Sequence, residues 1–382
     1  MPLLTISGLK KTARESPSVT ASVHAQIERI TRKEASNGKP FRELQLRDAS
    51  DTLTLRAWSD SDAYEACGNL DTGDFVSVSG TFSHSASFGL DARRWEIAHL
   101  DEAGVAALLE GSEERRLLLD RGRSAIDDAV AGVADPRIRA LCLRFLDLHG
   151  ARFRRAAAAR GNHHARRGGL LEHTARMMEA ALALCSVYHE TNRDLIVAGV
   201  LFHDCGKLWE TCPPEEGFGI ETEMRGELLG HISIGIELVN SLWRDLPREE
   251  WEHLAPPSED VRLHILHLIA SHHGQLEFGA PVLPKTPEAA LLHFIDNIDA
   301  RMEMFLSAYA AAGRNAPGER VRPLGITPYP PLAPFSGEFG GDDTPSVPLG
   351  KSTETLDQSP SGPETAPNSP SEPPRAQTDL LL

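Results

Sequence analysis

Long apolar runs are missing from this chain. No stretch approaches the ~18–20 consecutive nonpolar residues that a membrane-spanning helix needs, so no membrane partner is expected. The N-terminus, MPLLTISGLKK, lacks the charged-then-apolar layout of a secretory signal. Cysteine is scarce and odd in number, five in 382 residues (67, 142, 185, 205 and 212). That is no disulfide framework, and the thiols read as the reduced ones of a cytoplasmic protein. Positive charge is short too: 39 Lys and Arg stand against 55 Asp and Glu, a net charge of −16. Taken globally, this argues against nucleic acid, because phosphate binding rests on Lys and Arg. Locally it does not. Residues 1–100 are close to neutral and the acidity lies in 101–312, yet within that span residues 151–167 (ARFRRAAAARGNHHARR) hold six arginines, two histidines and no acid. Such an island matters more than the global sum.

What is present fits a soluble protein with a core: 41% hydrophobic and 25% charged residues. Residues 17–100 alternate apolar and polar side chains in SVTASVHAQIERITRKEA, FRELQLRDAS and DTLTLRAWS. A short helical piece, SDAYEACGNL, precedes DFVSVSGTFSH and DARRWEIAHL. Three strands, a helix and two further strands fit a five-stranded OB-type β-barrel, the other reading being a curled sheet without a ligand. On such a barrel Phe41, Trp58, Phe82 and Phe88, with Arg42, Arg56 and Arg93, are candidates for stacking bases and pairing phosphates. From Asp101 to Ala312 apolar residues recur at helical spacing, with Asp135-Pro136 as an N-cap and helix-start proline. From Gly313 onward, 14 of the 26 prolines crowd a segment expected to be disordered. The domains expected are thus 1–100, 101–312 and the tail 313–382, a multidomain α+β chain.

Five helical segments carry metal-ligand chemistry: Glu172-His173, His203-Asp204, His231, His272-His273, and Asp296 with Asp299. An ionised carboxylate inside LIVAGVLFHDCGK is costly to bury without a cation or donors beside it, and the same holds for Asp296 in AALLHFIDNIDA. Imidazole nitrogen and carboxylate oxygen suit a divalent transition metal, and adjacent His and Asp on one helix are able to bridge two ions. Lys207, just past the pair, is placed to neutralise charge on a phosphate.

The order His…His-Asp…His…His-His…Asp resembles the HD-domain metal-dependent phosphohydrolases, here as LLEHT, LFHDCGK, LLGHISIG, IASHHG and FIDNIDA. With a barrel in front and HHARRGGLLEHT leading into the first histidine, the chain is similar to the YhaM-type 3′→5′ exoribonucleases from about Thr5 to about Tyr309. That resemblance implies a first metal site of His173, His203, Asp204 and Asp296, and a second of His231 and His272, with His273 an extra ligand. Asp204 would bridge and Asp299 would orient a histidine. Two divalent ions are implied, Mn²⁺ ahead of Mg²⁺, Co²⁺ or Fe²⁺. Paired ions ~3.5–4 Å apart activate water and clamp phosphate oxygens. Asp204 and Lys207 are then the catalytic candidates. His163, His164, Arg166 and Arg167, with Trp58 and Phe82, are the substrate-binding candidates. The implied activity is 3′→5′ hydrolysis of single-stranded RNA, with single-stranded DNA and a homo-oligomer left open. An HD nucleotidase or cyclic-nucleotide phosphodiesterase, and a non-catalytic RNA-binding adaptor, are the competing readings.

Overall fold

The computed structural model describes residues 1–332 except 86–88, 162–163, 221, 313–317, 319 and 330. The chain opens with β1 (Leu3–Leu4) and α1 (Ile6–Glu15), followed by β2 (Val19–Glu34), β3 (Pro40–Arg47), β4 (Thr52–Trp58), the short α2 (Asp62–Ala66), β5 (Phe75–Ser85) and β6 (Gly89–His99). These strands form one sheet in the order β4-β3-β2-β5-β6, antiparallel throughout, with β1 added parallel to β2. The sixteen-residue β2 serves both sides: its first half pairs with β5 and its second with β3, across an irregularity between Ile27 and Arg29. The sheet curls until its outer strands β4 and β6 approach each other. Its inner face is built by alternation, with Val23, Ala25 and Ile27 buried opposite Leu44, Leu46, Val76 and Val78.

Two features of this half depart from the sequence reading. β1 makes a sixth strand, and α1 was not anticipated. Thr5 caps α1 by accepting from the Gly8 amide, a contact worth about 1 kcal/mol. Ile6, Leu9 and Ala13 of α1 then close the sheet's interior.

The remainder is helical: α3 (Glu102–Glu110), α4 (Glu113–Ala131), α5 (Pro136–Arg155), α6 (Gly169–Cys185), α7 (Arg193–Phe202), the one-turn α8 (Lys207–Glu210), α9 (Met224–Arg244), α10 (Ser258–Ser271) and α11 (Pro287–Ala312). Asp135 caps α5 from its side chain with Pro136 as the first helical residue, as the sequence indicates. The apolar faces of α4–α7 and α9–α11 make a second core that shares no residue with that of the sheet. The halves touch where the Phe218 amide donates to the Gln26 side chain of β2 at 2.9 Å. None of the described helices is long and apolar enough to cross a membrane.

The segment beyond Gly313 is described at 318, 320–329 and 331–332 only. There it is not structureless: Arg322–Leu324 form a 3₁₀ turn closed by a Val321–Ile326 bridge, with Pro323 fixing φ and Gly325 taking a φ of 70°.

Candidate metal centre

Four helices and one inter-helix turn bring one piece each to a common centre. His173 lies in the first turns of α6, His231 in α9, His272 and His273 at the end of α10, and Asp296 in mid-α11. The His203-Asp204 pair is not inside a helix, as the sequence suggests. α7 ends at Phe202, and the pair occupies the tight turn into α8. That turn presses on α9 so closely that a Cβ on Gly206 would sit 1.9 Å from the His231 carbonyl oxygen. Gly230, at φ 69°, breaks α9 one residue earlier and sets the direction of His231.

The ring edges of these histidines are sorted. Each Nδ1 donates away from the centre: His203 to the Val200 carbonyl at 2.9 Å, His272 to Ile269 at 2.8 Å, His273 to Phe278 at 2.6 Å, His173 to Asp299 at 2.7 Å and His231 to Glu210 at 2.9 Å. A carbonyl or ionised carboxylate only accepts, so a proton sits on each Nδ1, and Nε2 is the ring nitrogen left to face a cation. All five Nε2 atoms face inward. Those of His173 and His203 are 3.3 Å apart, as are those of His231 and His273.

Asp204 lies between the two groups. Its Oδ2 is 3.2 Å from His203 Nε2 and 3.9 Å from His173 Nε2, while Oδ1 is 3.5 Å from His231 Nε2 and 3.6 Å from His272 Nε2. Asp296 Oδ1 joins the first group, 3.3 Å from His173 Nε2. Lys207 donates to Asp204 Oδ2 at 2.7 Å. Asp204 Oδ1 and His272 Nε2 are buried without any hydrogen-bond partner. Facing lone pairs and orphaned buried acceptors are unfavourable without positive charge between them. The donor set of imidazole nitrogens and carboxylate oxygens therefore fits divalent metal.

The local electrostatics agree. Burial would raise the Asp204 pKa, yet Lys207 and His203 hold it well below the usual carboxylate range. Burial would lower His173, but hydrogen bonds and charge from Asp296 and Asp299 outweigh it and push it up to about 9. Burial holds His272 and His273 below the ordinary histidine value, so both stay neutral. The Cys205 thiol is pushed up by burial and packs as a small apolar group, as expected.

The family model for the HD domain matches residues 170–301. Over 284 residues the chain is 32% identical to the 3′-5′ exoribonuclease YhaM of Geobacillus sp. (strain WCH70), covering 74% of this chain and 82% of that protein. The chain belongs to the YhaM family. With its HD domain, this YhaM-family chain is a hydrolase of the metal-dependent phosphohydrolase kind.

The substrate-binding candidates of the YhaM-family chain fall elsewhere. His164 is fully buried, with Nε2 2.9 Å from Asp299 Oδ2, so it supports the carboxylate that orients His173 and is closed to substrate. Arg166 is spent on Glu172 and Glu303. Phe82 is fully buried in the sheet core because it lies on the inner face of its strand, so it is no platform for bases. Phe41 has the opposite parity to Leu44 and Leu46 and lies on the outer face, covered there by Trp58 and Arg56. Trp58 is half-buried, with Phe41 at 4.9 Å and the Lys39 ammonium over its ring. Arg42 lies over the Tyr64 ring and Arg56 pairs with Glu43. His163, Phe88 and the Arg93 side chain lie outside the described residues.

Sequence reasoning missed the supports. Glu210 of α8 holds both the backbone amide and the ring of His231. Glu303 of α11 and Glu172 of α6 bind Arg166 and Arg176 behind His173, and Arg115 closes this buried network on Glu172. Glu303 was within reach, since Asp296, Asp299 and Glu303 share one face of a helix at seven- and four-residue spacing.

Proposed function

We propose that the chain is a metal-dependent 3′→5′ exoribonuclease that removes nucleotides from the 3′ end of single-stranded RNA. The observation behind this reading is the convergence of four imidazole Nε2 atoms on the two oxygens of one buried carboxylate, with a fifth, of His273, beside His231, in a relative of a 3′-5′ exoribonuclease. His173, His203, Asp296 and Asp204 Oδ2 would hold one divalent ion. His231, His272, His273 and Asp204 Oδ1 would hold a second, so that Asp204 bridges. When bound, such ions supply a nucleophile at neutral pH and positive charge for the phosphate oxygens; Mn²⁺ is proposed ahead of Mg²⁺, Co²⁺ or Fe²⁺ on the family resemblance.

The chain's own residues do the rest. Asp299 and Glu210 keep His173 and His231 in the tautomer that presents Nε2. Lys207 fixes Asp204 from Oδ2 and sets an ammonium beside the phosphate position. Leu292 and Ile295 beside Asp296, and Ile269 before His272, keep bulk water from the ligand roots. We take residues 1–100 as an OB-type barrel of five principal strands, with Trp58 as its stacking platform, and 101–312 as the hydrolytic domain. Five unpaired cysteines suit the cytoplasm.

The test is a 5′-labelled single-stranded RNA incubated with purified protein and Mn²⁺. A ladder that shortens from the 3′ end supports the reading. Turnover of mononucleotides alone would replace it with a nucleotidase or cyclic-nucleotide phosphodiesterase, and binding without turnover with an adaptor.

A further inference from the structure

The arginine island of 151–167 divides into two sets. Arg152 pairs with Glu223, Arg154 with Asp120 at 2.7 Å, Arg160 with Glu227 at 2.9 Å, and Arg166 with Glu172 and Glu303. Each of these four charges is answered by a carboxylate within hydrogen-bond reach. The other two are not. Arg167 gives its donors to the carbonyls of Pro214, Glu215 and Gly217 at 2.8 to 3.0 Å. Arg155 reaches the Pro213 carbonyl at 3.3 Å, and its one ion pair among the described residues is with Glu215, 82% exposed and 3.5 Å away. Neutral carbonyls satisfy the N–H groups but leave the charge. The two guanidiniums also work against each other: burial, and then the neighbouring Arg155, lower the Arg167 pKa. A pair of like charges held together in a half-buried wall is a place where an anion lowers the energy of the protein.

Both side chains line a cleft of about 510 Å³, walled by Ala49 of the β3–β4 turn on one side and by α3, α4 and α5 on the other. Arg167 and Ala49 also line an adjoining lobe of about 270 Å³ that runs along Asp48–Thr52 to Arg160 and Phe218. Three of the acids there are engaged elsewhere: Asp48 accepts from the Ile6 amide at the start of α1, Asp51 from Lys10, and Asp120 from Arg154, while Glu110 and the exposed Glu215 also line the cleft. The cleft thus lies between the sheet and the helical body, and its unanswered charge is where its two lobes meet.

We infer that Arg155 and Arg167 form a phosphate site for the RNA backbone upstream of the cleaved 3′ end, in the cleft between the sheet and the helical body. This rests on the exoribonuclease reading above. A planar guanidinium takes phosphate oxygens two at a time, and a contact to the backbone carries no sequence preference, which suits removal of successive nucleotides of any sequence. Held there, a strand would cross from the sheet towards the HD centre along a wall whose two guanidiniums share only one exposed carboxylate, Glu215, among the described residues.

The experiment uses the full chain with metal removed by EDTA, so that RNA binds without being cut. Fluorescence anisotropy compares a 4-nucleotide with a 20-nucleotide single-stranded RNA over a range of salt. Arg155→Gln is expected to weaken the 20-mer about fivefold and to flatten the plot of log K against log salt by about 0.7, the share of one phosphate contact on a single strand. With Mn²⁺ restored, the ratio of KM on the long RNA to KM on the short one rises by a similar factor. Arg155→Lys restores most of the loss. Arg144→Gln, which removes the same charge from an exposed position of α5, leaves the 20-mer affinity within twofold. Because Arg155→Gln also removes the hydrogen bond to the Pro213 carbonyl, the wild-type protein provides a second readout: phenylglyoxal modification followed by mass spectrometry, in which 20-mer RNA protects Arg155 and Arg167 but not Arg144. Unchanged affinity and salt slope in a folded Arg155→Gln, or no protection in the wild type, would overturn the site while leaving RNA degradation intact. A wild-type protein that neither binds nor degrades RNA overturns both this site and the functional reading beneath it.

Discussion

Asp204 Oδ1 lies 3.6 Å from His272 Nε2, and both atoms are buried with no hydrogen-bond partner. A buried acceptor facing a buried lone pair is a local cost of about 1–3 kcal/mol per unsatisfied group. Binding of a cation between them turns that cost into affinity, so metal and folding are coupled here.

Metal loading is therefore expected to raise the thermal midpoint. At a hundredfold excess over its Kd, an ion that binds only the folded state adds about 2.7 kcal/mol. Differential scanning calorimetry with and without Mn²⁺ checks this, and Asp204→Ala should abolish both the shift and RNA hydrolysis while helical circular dichroism persists. A metal-dependent shift retained in Asp204→Ala would remove Asp204 from the ligands.

Asp299 touches no inward-facing nitrogen, so its role is to hold the His173 ring. Asp299→Ala is expected to weaken metal binding by about 10–100-fold, read by isothermal titration, with saturating Mn²⁺ recovering most of kcat. Asp299→Asn, which keeps an accepting oxygen, should fall between. Equal metal affinity in the wild type and Asp299→Ala would show that His173 needs no such support.

Glu172 has a pH signature. Burial would raise its pKa, but His164, Arg166 and Arg115 hold it well below the ordinary carboxylate value. A carboxylate depressed in the folded state stabilises fully above its unfolded pKa, about 4.3. That contribution drains away as pH falls below about 4.5 towards the folded value. Urea unfolding of metal-free protein between pH 6 and pH 3 should show the decline. Glu172→Gln, which leaves buried guanidiniums uncompensated, should cost about 3–5 kcal/mol at pH 6 and show a shallower acid dependence. A parallel pH profile in the variant would place the acid sensitivity elsewhere.

Phe82 and Trp58 separate core from surface on the sheet. Phe82→Ala empties a fully buried site and should cost about 3–5 kcal/mol. Trp58→Ala should cost less in stability and weaken single-stranded RNA by about 1–3 kcal/mol, the range for one stacked base. Filter binding alongside denaturant melts distinguishes them, and normal RNA affinity in Trp58→Ala would exclude the ring as a platform.

How much of this was legible in the sequence depends on how local each signal is. His203-Asp204 and the other HD residues stand out because charge in apolar segments is conspicuous, and the strands of the sheet announce themselves by alternation. Phe82 was readable too: it shares the parity of Val76 and Val78, so its side chain follows theirs into the core. α1 was not, since ISGLKKTARE shows only three buried positions and its partner face is made by strands further along. The island of arginines misled for a different reason. Apart from Glu172, six residues from Arg166, its carboxylates lie 34 to 137 residues away, where no count of neighbouring charge finds them. Burial of His164 likewise depends on Asp299, 135 residues on.

Anomalous diffraction at the manganese edge from crystals soaked in Mn²⁺ tests the paired centre most directly. The expected map has two peaks flanking Asp204, one among His173, His203 and Asp296 and the other among His231, His272 and His273. A single peak, or manganese lodged instead among His164, Glu172 and Glu303, would contradict a bridged two-ion site.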